Sequence, residues 1–458
     1  MKKSNLKWWI VWLLVTLSIC AYNAYALLGP DKTIYVGGET THGHYQIEMS
    51  CDSCHGEAFS DEEVMQKSCV RCHSEELEAV DDSHPRKKFT DPRNADRVAI
   101  LDARYCVTCH IEHKPEVTRE MAVTLADDFC VYCHEDVAED RESHKDLAFN
   151  GCSAAGCHNY HDNSALYEDF LVKHANEPAT SEVAVVPTKN YTEWLELVDE
   201  TERVSLSREN ANSQHATNSM KFSELVEWEE SGHAQQGVNC MGCHKSTNDS
   251  GQEWLAKPDY QACNQCHKQE VKGFQMGKHG MRTAVDLPAM QPGLARLPMK
   301  EDSIDRHLGC SSCHSGHTFD TRRAAVEACL TCHNDEHSLA YKASPHYQLW
   351  QEASSGKGET NSGVSCATCH MPREEIREKG EKRIAVQHNQ NMNLKPNEKM
   401  MRSVCMHCHG YEFAMNALAD EALIQKNFNG GPTVNIESAE WAVKRELLKQ
   451  QGKVKKDS

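Results

Sequence analysis

Aromatic side chains are scarce, at 7% of 458 residues, within a hydrophobic total of only 39%. A chain of this length suggests about three domains on a prior of roughly 150 residues each, but so small an apolar supply is thin for a large aliphatic core. Positive charge is also short. There are 49 Lys and Arg against 68 Asp and Glu, a net −19, which speaks against nucleic acid and points to basic or dipolar partners. The same excess also keeps a soluble surface dispersed. Unassigned cysteine is almost absent, since only Cys20 of the 23 cysteines falls outside a repeated motif.

The motifs pair Cys51 with Cys54, Cys69 with Cys72, Cys106 with Cys109, Cys130 with Cys133, Cys152 with Cys157 and Cys240 with Cys243. Cys263 and Cys266, Cys310 and Cys313, Cys329 and Cys332, Cys366 and Cys369, and Cys405 and Cys408 complete the set. A histidine follows the second cysteine every time: His55, His73, His110, His134, His158, His244, His267, His314, His333, His370 and His409. Ten motifs read C-x-x-C-H, and "CSAAGCH" at 152–158 has four intervening residues. Structural zinc collects cysteines in tetrahedral sets without a histidine beside each pair. Disulfides have no use for that histidine, and iron–sulfur clusters would need cysteine as further ligands. C-x-x-C-H is the attachment signature of c-type haem, so eleven covalent haem c groups are expected. Their macrocycles would supply the buried apolar surface that the side chains lack. The expected fold is mainly α with long loops, helices wrapped around a haem stack, and little or no sheet.

The N-terminus, "MKKSNLKWWIVWLLVTLSICAYNAYALL", places three lysines before an apolar run, with "AYA" at cleavage spacing. Residues 1–26 therefore read as a signal peptide or, from the length of the run and its Trp and Tyr ends, a membrane anchor. Either places the chain outside the cytoplasm, with the periplasm as the default location.

Five motifs fall within 51–158 and six within 240–409, separated by a cysteine-free stretch containing "NEPATSEVAVVPTKN". This predicts a five-haem module over 42–175, a linker over 176–220, a six-haem module over 221–410 and a helical tail over 411–458. Ser438 is the expected N-cap of a terminal helix carrying Trp441, Val443, Leu447 and Leu448 on its apolar face. Within the second module "SGHAQQGVNCMGCHK" resembles "SPHYQLW" followed by "GVSCATCHM", so an upstream S-x-H precedes an attachment motif twice.

Sixteen histidines lie outside the attachment positions. Two axial histidines close a haem for electron transfer, whereas a missing sixth ligand opens the iron to substrate. Eleven distal ligands suffice, so the histidine supply does not force an open site. The candidates are His44, His84, His113, His144, His161, His174, His233, His279, His307, His317, His346 and His388. His215, in a polar stretch, and His407, inside a motif, are read as bystanders.

The first module, with "CVTCHIEHKP" and "CSAAGCH", resembles the small tetrahaem class III cytochromes. The second resembles the hydroxylamine oxidoreductase-like octahaem family through "FQMGKHG", "CSSCHSGHTFDTRRAAVEACLTCHNDEHSLAYKASPHYQLW" and "GVSCATCHM". That resemblance implies an acid–histidine pair, here Glu336 and His337, above an open haem at His314, delivering protons to a nitrogen oxyanion or hydroxylamine. The loop is one residue shorter than in that family, glutamate replaces aspartate, and Tyr411 is too near its own motif to match the tyrosine that the family's oxidases cross-link. His337 as an axial ligand is the competing reading.

Two functions follow as expectations. One is an exported eleven-haem conduit between redox partner proteins, such as a membrane quinol dehydrogenase, and a terminal acceptor. The other is a multihaem reductase of nitrite, hydroxylamine or a sulfur oxyanion. A subunit of a cytochrome filament, or another homo-oligomer, is a third. Pyridine haemochrome absorbance and intact mass of exported protein should both report eleven covalent haems per chain.

Overall fold

The structure is a computed structural model. It describes residues 3–29, 32–56, 62–126, 129–140, 144–145, 159–162, 168–182, 186–187, 205–211, 222–245, 254–358, 362–378, 381–394 and 399–452. The chain is mainly helical, and its sheet among the described residues is a single hairpin, Arg373–Glu378 (β1) against Glu381–Val386 (β2). Two compact units appear: residues 1–74 with 85–129, and residues 75–84 with 130–458.

In the first unit Lys3–Leu28 forms one unbroken helix, α1, whose large apolar side chains are exposed. Its apolar portion, Leu6–Leu28, is long enough to cross a bilayer. The Tyr35 hydroxyl donates to the Asn23 carbonyl oxygen, tying the following turn to the helix end. Glu62–Ala79 (α2), of which residues 62–74 belong to this unit, is rich in Glu, a strong helix former, and carries the motif at Cys69. Single 3-10 turns hold the motifs at Cys51 and Cys106.

The second unit carries the protein-only apolar packing found among the described residues, in two small clusters. The larger joins Glu168–His174 (α3), Tyr411–Ala419 (α4) and Ser438–Gln450 (α5) around Tyr411, Met401 and Met415. Tyr411 is fully buried, its hydroxyl 3.1 Å from Ser438 Oγ. The terminal helix is present, but it buries Ala439, Ala442 and Arg445, while Leu447 is exposed. Small residues win that face because α3 packs closely against it.

The described parts of the cysteine-free stretch are hydrogen-bonded to motif-bearing segments. Ser181 N donates to Cys408 O, Gly410 N to Pro178 O, and Cys240 N to Ala211 O. The division into units falls after Phe129 instead, so the motif at Cys130 groups with the later ones. Absence of cysteine marks where no haem is attached, not where packing stops. The tail's Asp420 caps the helix Glu421–Gln425 through Leu423 N and also accepts from Thr433 N and Oγ1. These hydrogen bonds hold its carboxyl below the usual carboxylate range. Asp420→Ala should lower holoprotein stability at neutral pH. A depressed folded-state value gives stability that is present above the ordinary pKa of about 3.9 and lost as pH falls through the folded value. The gap to wild type in denaturant melts should therefore narrow in acid.

Candidate functional site

The first unit sets two attachment histidines opposite other histidines: His55 faces His113 with ring centres 6.3 Å apart, and His73 faces His44 at 5.9 Å. In the second unit the pairs are His134 with His84 at 6.1 Å, His267 with His233 at 6.0 Å and His244 with His317 at 6.2 Å. His333 with His279 stands at 6.2 Å, His314 with His388 at 6.4 Å, His370 with His337 at 6.1 Å and His409 with His346 at 6.4 Å. Rings this far apart neither stack tightly nor hydrogen-bond directly. The gap fits a metal: an imidazole–metal bond of about 2 Å plus roughly 1.1 Å from nitrogen to ring centre, doubled, gives about 6.2 Å. Each pair contains one attachment histidine and one other, as a haem iron held from both faces requires.

The backs of the rings are tied down, as metal-bound imidazoles need for a fixed orientation and tautomer. Nδ1 of His84 donates to Tyr160 O (2.5 Å), of His113 to Gly38 O (2.8 Å) and of His337 to Ile424 O (2.5 Å). His244 uses Leu255 O (2.7 Å), His388 Val386 O (2.9 Å) and His409 Ala179 O (2.8 Å). His44 donates to Glu112 Oε1 at 2.6 Å. Burial alone would raise the Glu112 carboxyl, but the His44 contact and the Thr41 N–H and hydroxyl carry it down to about 2. Burial, assisted by the facing imidazole, lowers His279, His346 and His370 to about 4, keeping the neutral form that binds metal. The scarce aromatics stand against these rings. Trp254 stacks on His244 at 4.3 Å, Phe413 on His409 at 4.8 Å, and Phe319 meets His233 edge-on at 4.1 Å.

Eight of the twelve expected distal histidines, His44, His84, His113, His233, His279, His317, His346 and His388, occupy such pairs. His161 and His174 are held from behind in the same manner, by Asp82 at 3.1 Å and Glu177 at 2.6 Å. His307 departs from expectation: it is exposed, and its Nε2, the nitrogen that would reach a metal, accepts from Gln291 Nε2 at 3.0 Å. His110 Nδ1 donates to Ala122 O. His144 stands between stretches outside the described residues, and Cys152, Cys157, His158 and His215 lie outside them.

The proposed acid–histidine pair is also placed differently. His337 faces His370, not the His314 position, and Glu336 is an exposed first residue of the helix Glu336–Ala340. The ring opposite His314 is that of His388. The physical reason is a capping device. Asp335 is the N-cap of that helix, its carboxylate accepting from Ser338 N, which puts the histidine two residues on in the first turn. Ser231 and Ser344 do the same for His233 and His346. Asp82 accepts from His84 N and Asn159 from His161 N. A short polar residue two positions before histidine, including Ser315 before His317, is thus a signal in the sequence that only the two S-x-H repeats exposed. Those repeats skip a motif: His233 faces His267 rather than the nearer His244, and His346 faces His409 rather than His370.

Successive motifs touch. The Cys69 thiol is raised by hydrogen bonding to Cys106, Cys310 by Cys263, and Cys329 by Cys366. The segments Cys240–His244 and Tyr260–Asn264 are in contact, as are Cys310–Cys313 and Glu327–Leu330. Cys405 and Cys408 both act on Cys369.

Fixed cysteine pairs with opposed imidazoles define a cytochrome of the c type with several haems. The family model for cytochrome c3 matches residues 43–135, and that for cytochrome c554 and c-prime matches residues 262–324. The chain is a multihaem c-type cytochrome that carries covalent haem c and serves electron transfer. Removing the carboxylate behind one ligand should shift one haem. Glu112→Gln weakens the pull on the His44 N–H, lowers imidazole basicity and should raise the potential of a single haem by on the order of tens of millivolts in a spectropotentiometric titration.

Proposed function

We propose that this chain is an exported conduit holding eleven haem c groups, which passes electrons in chain order along each run of motifs. Haem supplies one-electron chemistry when bound; the protein's own residues hold it, close both of its faces and exclude small ligands. The observation that carries this reading is the imidazole standing opposite each of nine attachment histidines, His314 among them. On this reading the ligand pairs are those nine, and His161 and His174 are poised for the same role. The ring of His388 counts against a reductase with an open haem at His314.

Adjacency of the cysteines in successive motifs supports a wire that follows the sequence from Cys240 to Cys408. The apolar helix α1 supports export and attachment to the outer face of the inner membrane, where a quinol dehydrogenase would supply electrons. The acidic surface, at −19 before any propionate is added, suits a basic or dipolar redox protein as acceptor. Electron paramagnetic resonance of the oxidised holoprotein should show only low-spin haem, unchanged by hydroxylamine or nitrite. A high-spin signal that either ligand alters would restore the reductase.

A further inference from the structure

His388 reaches its place opposite His314 by an unusual route. It lies on an irregular segment after β2, far along the chain from the motif that it faces, and its Nδ1 bonds back to Val386 O within the same segment. What fixes it must therefore be whatever seats the segment. The seat is the helix Lys268–Met276. Asn391 Nδ2 donates to Met276 O at 3.1 Å, and Arg383 Nη2 donates to Glu270 Oε1 at 3.2 Å. Two glycines of this region lie directly against the segment, Gly273 between the two fastenings and Gly277 just past the last residue of the helix.

Neither glycine is required by its backbone. Gly273 is inside the helix, where glycine is the less stable choice relative to alanine, and Gly277 has φ −88° and ψ 167°, open to any residue. The requirement is space. A Cβ on Gly273 would lie 3.2 Å from both His388 N and His388 Cβ. One on Gly277 would lie 3.0 Å from His388 O and 2.5 Å from Oε1 of the buried Gln390. The two glycines thus bring helix backbone against the backbone of the ligand itself.

The same helix starts directly after His267, which faces His233, and ends shortly before His279, which faces His333. We infer that Gly273 and Gly277 are positioning residues that set the sixth ligand at His314, so that one helix fixes the ligation of three successive attachment sites. This rests on the two-histidine ligation proposed above and adds how one of those ligands is held.

The test uses full-length, haem-loaded protein with its haem content measured by pyridine haemochrome. Gly277→Val should push the His388 carbonyl away and turn one haem per chain high-spin in the ferric state, with one equivalent of carbon monoxide bound after reduction. Gly273→Ala should do so in a fraction of molecules. Gly309→Ala lies beside the same motif in open space and should leave the spectrum low-spin. If Gly277→Val accumulates with full haem and stays low-spin, the inference is overturned. Should that variant not accumulate, a low-spin, carbon monoxide-silent Gly273→Ala protein overturns it equally. His388→Ala separates the two levels: a low-spin spectrum there removes the ligand assignment itself, whereas a high-spin one beside a silent glycine series removes only the positioning role.

Discussion

One spacing governs this molecule: two imidazole rings held about 6 Å apart, across a gap of the size that a single iron would fill. Nine such gaps recur among the described residues, and the polypeptide between them is arranged to keep the rings still. Apart from α1, α2 and α5 the helices are short, and several do no more than present a cysteine pair or bring a histidine into the first turn. Carbonyls and carboxylates take the rear N–H of many of the rings, and burial lowers the pKa of His279, His346 and His370. Ordinary apolar packing is left to two small clusters, the larger around Tyr411. A fold of this kind depends on its cofactors in the way small domains depend on staples.

The ligand pairing is interlaced rather than local. His233 and His346 pass over the nearest motif and face a later one, while His388 reaches back to His314. With the ligation proposed above, a segment that attaches one haem would close another, and backbone would fix neighbouring sites relative to each other. The cysteine contacts between successive motifs express the same arrangement. Close, rigid neighbours suit electron transfer, which needs no moving parts and no access for substrate.

The attachment sites and the mainly helical architecture were legible in the sequence because Cys-x-x-C-H is a local chemical pattern. Eight of the histidines singled out near motifs stand opposite an attachment histidine in the fold. Resemblance drew attention to Glu336 and His337, whereas in the fold the carboxylate of Asp335 caps the helix and the ring of His337 faces His370. His307 differs from those eight, being exposed with its Nε2 against Gln291, a contact that its place near a motif does not foretell. The linker over 176–220 rested on composition alone, and hydrogen bonds such as Ser181 N to Cys408 O depend on contacts that no short sequence window contains. The closeness of His314 and His388 was equally hidden, because the two residues lie far apart in the chain and the segment carrying His388 is seated on the helix Lys268–Met276 by contacts that sequence spacing does not express.

The interlacing bears on how the loaded protein meets proteases. An exposed turn at Gly356–Gly358 lies between His346 and His409, between His337 and His370, and between His314 and His388. With metal in those three gaps, a cut at that turn severs the backbone but frees no fragment, since three independent clasps span the break. Damage of this kind would pass unnoticed on a native gel and show only after denaturation.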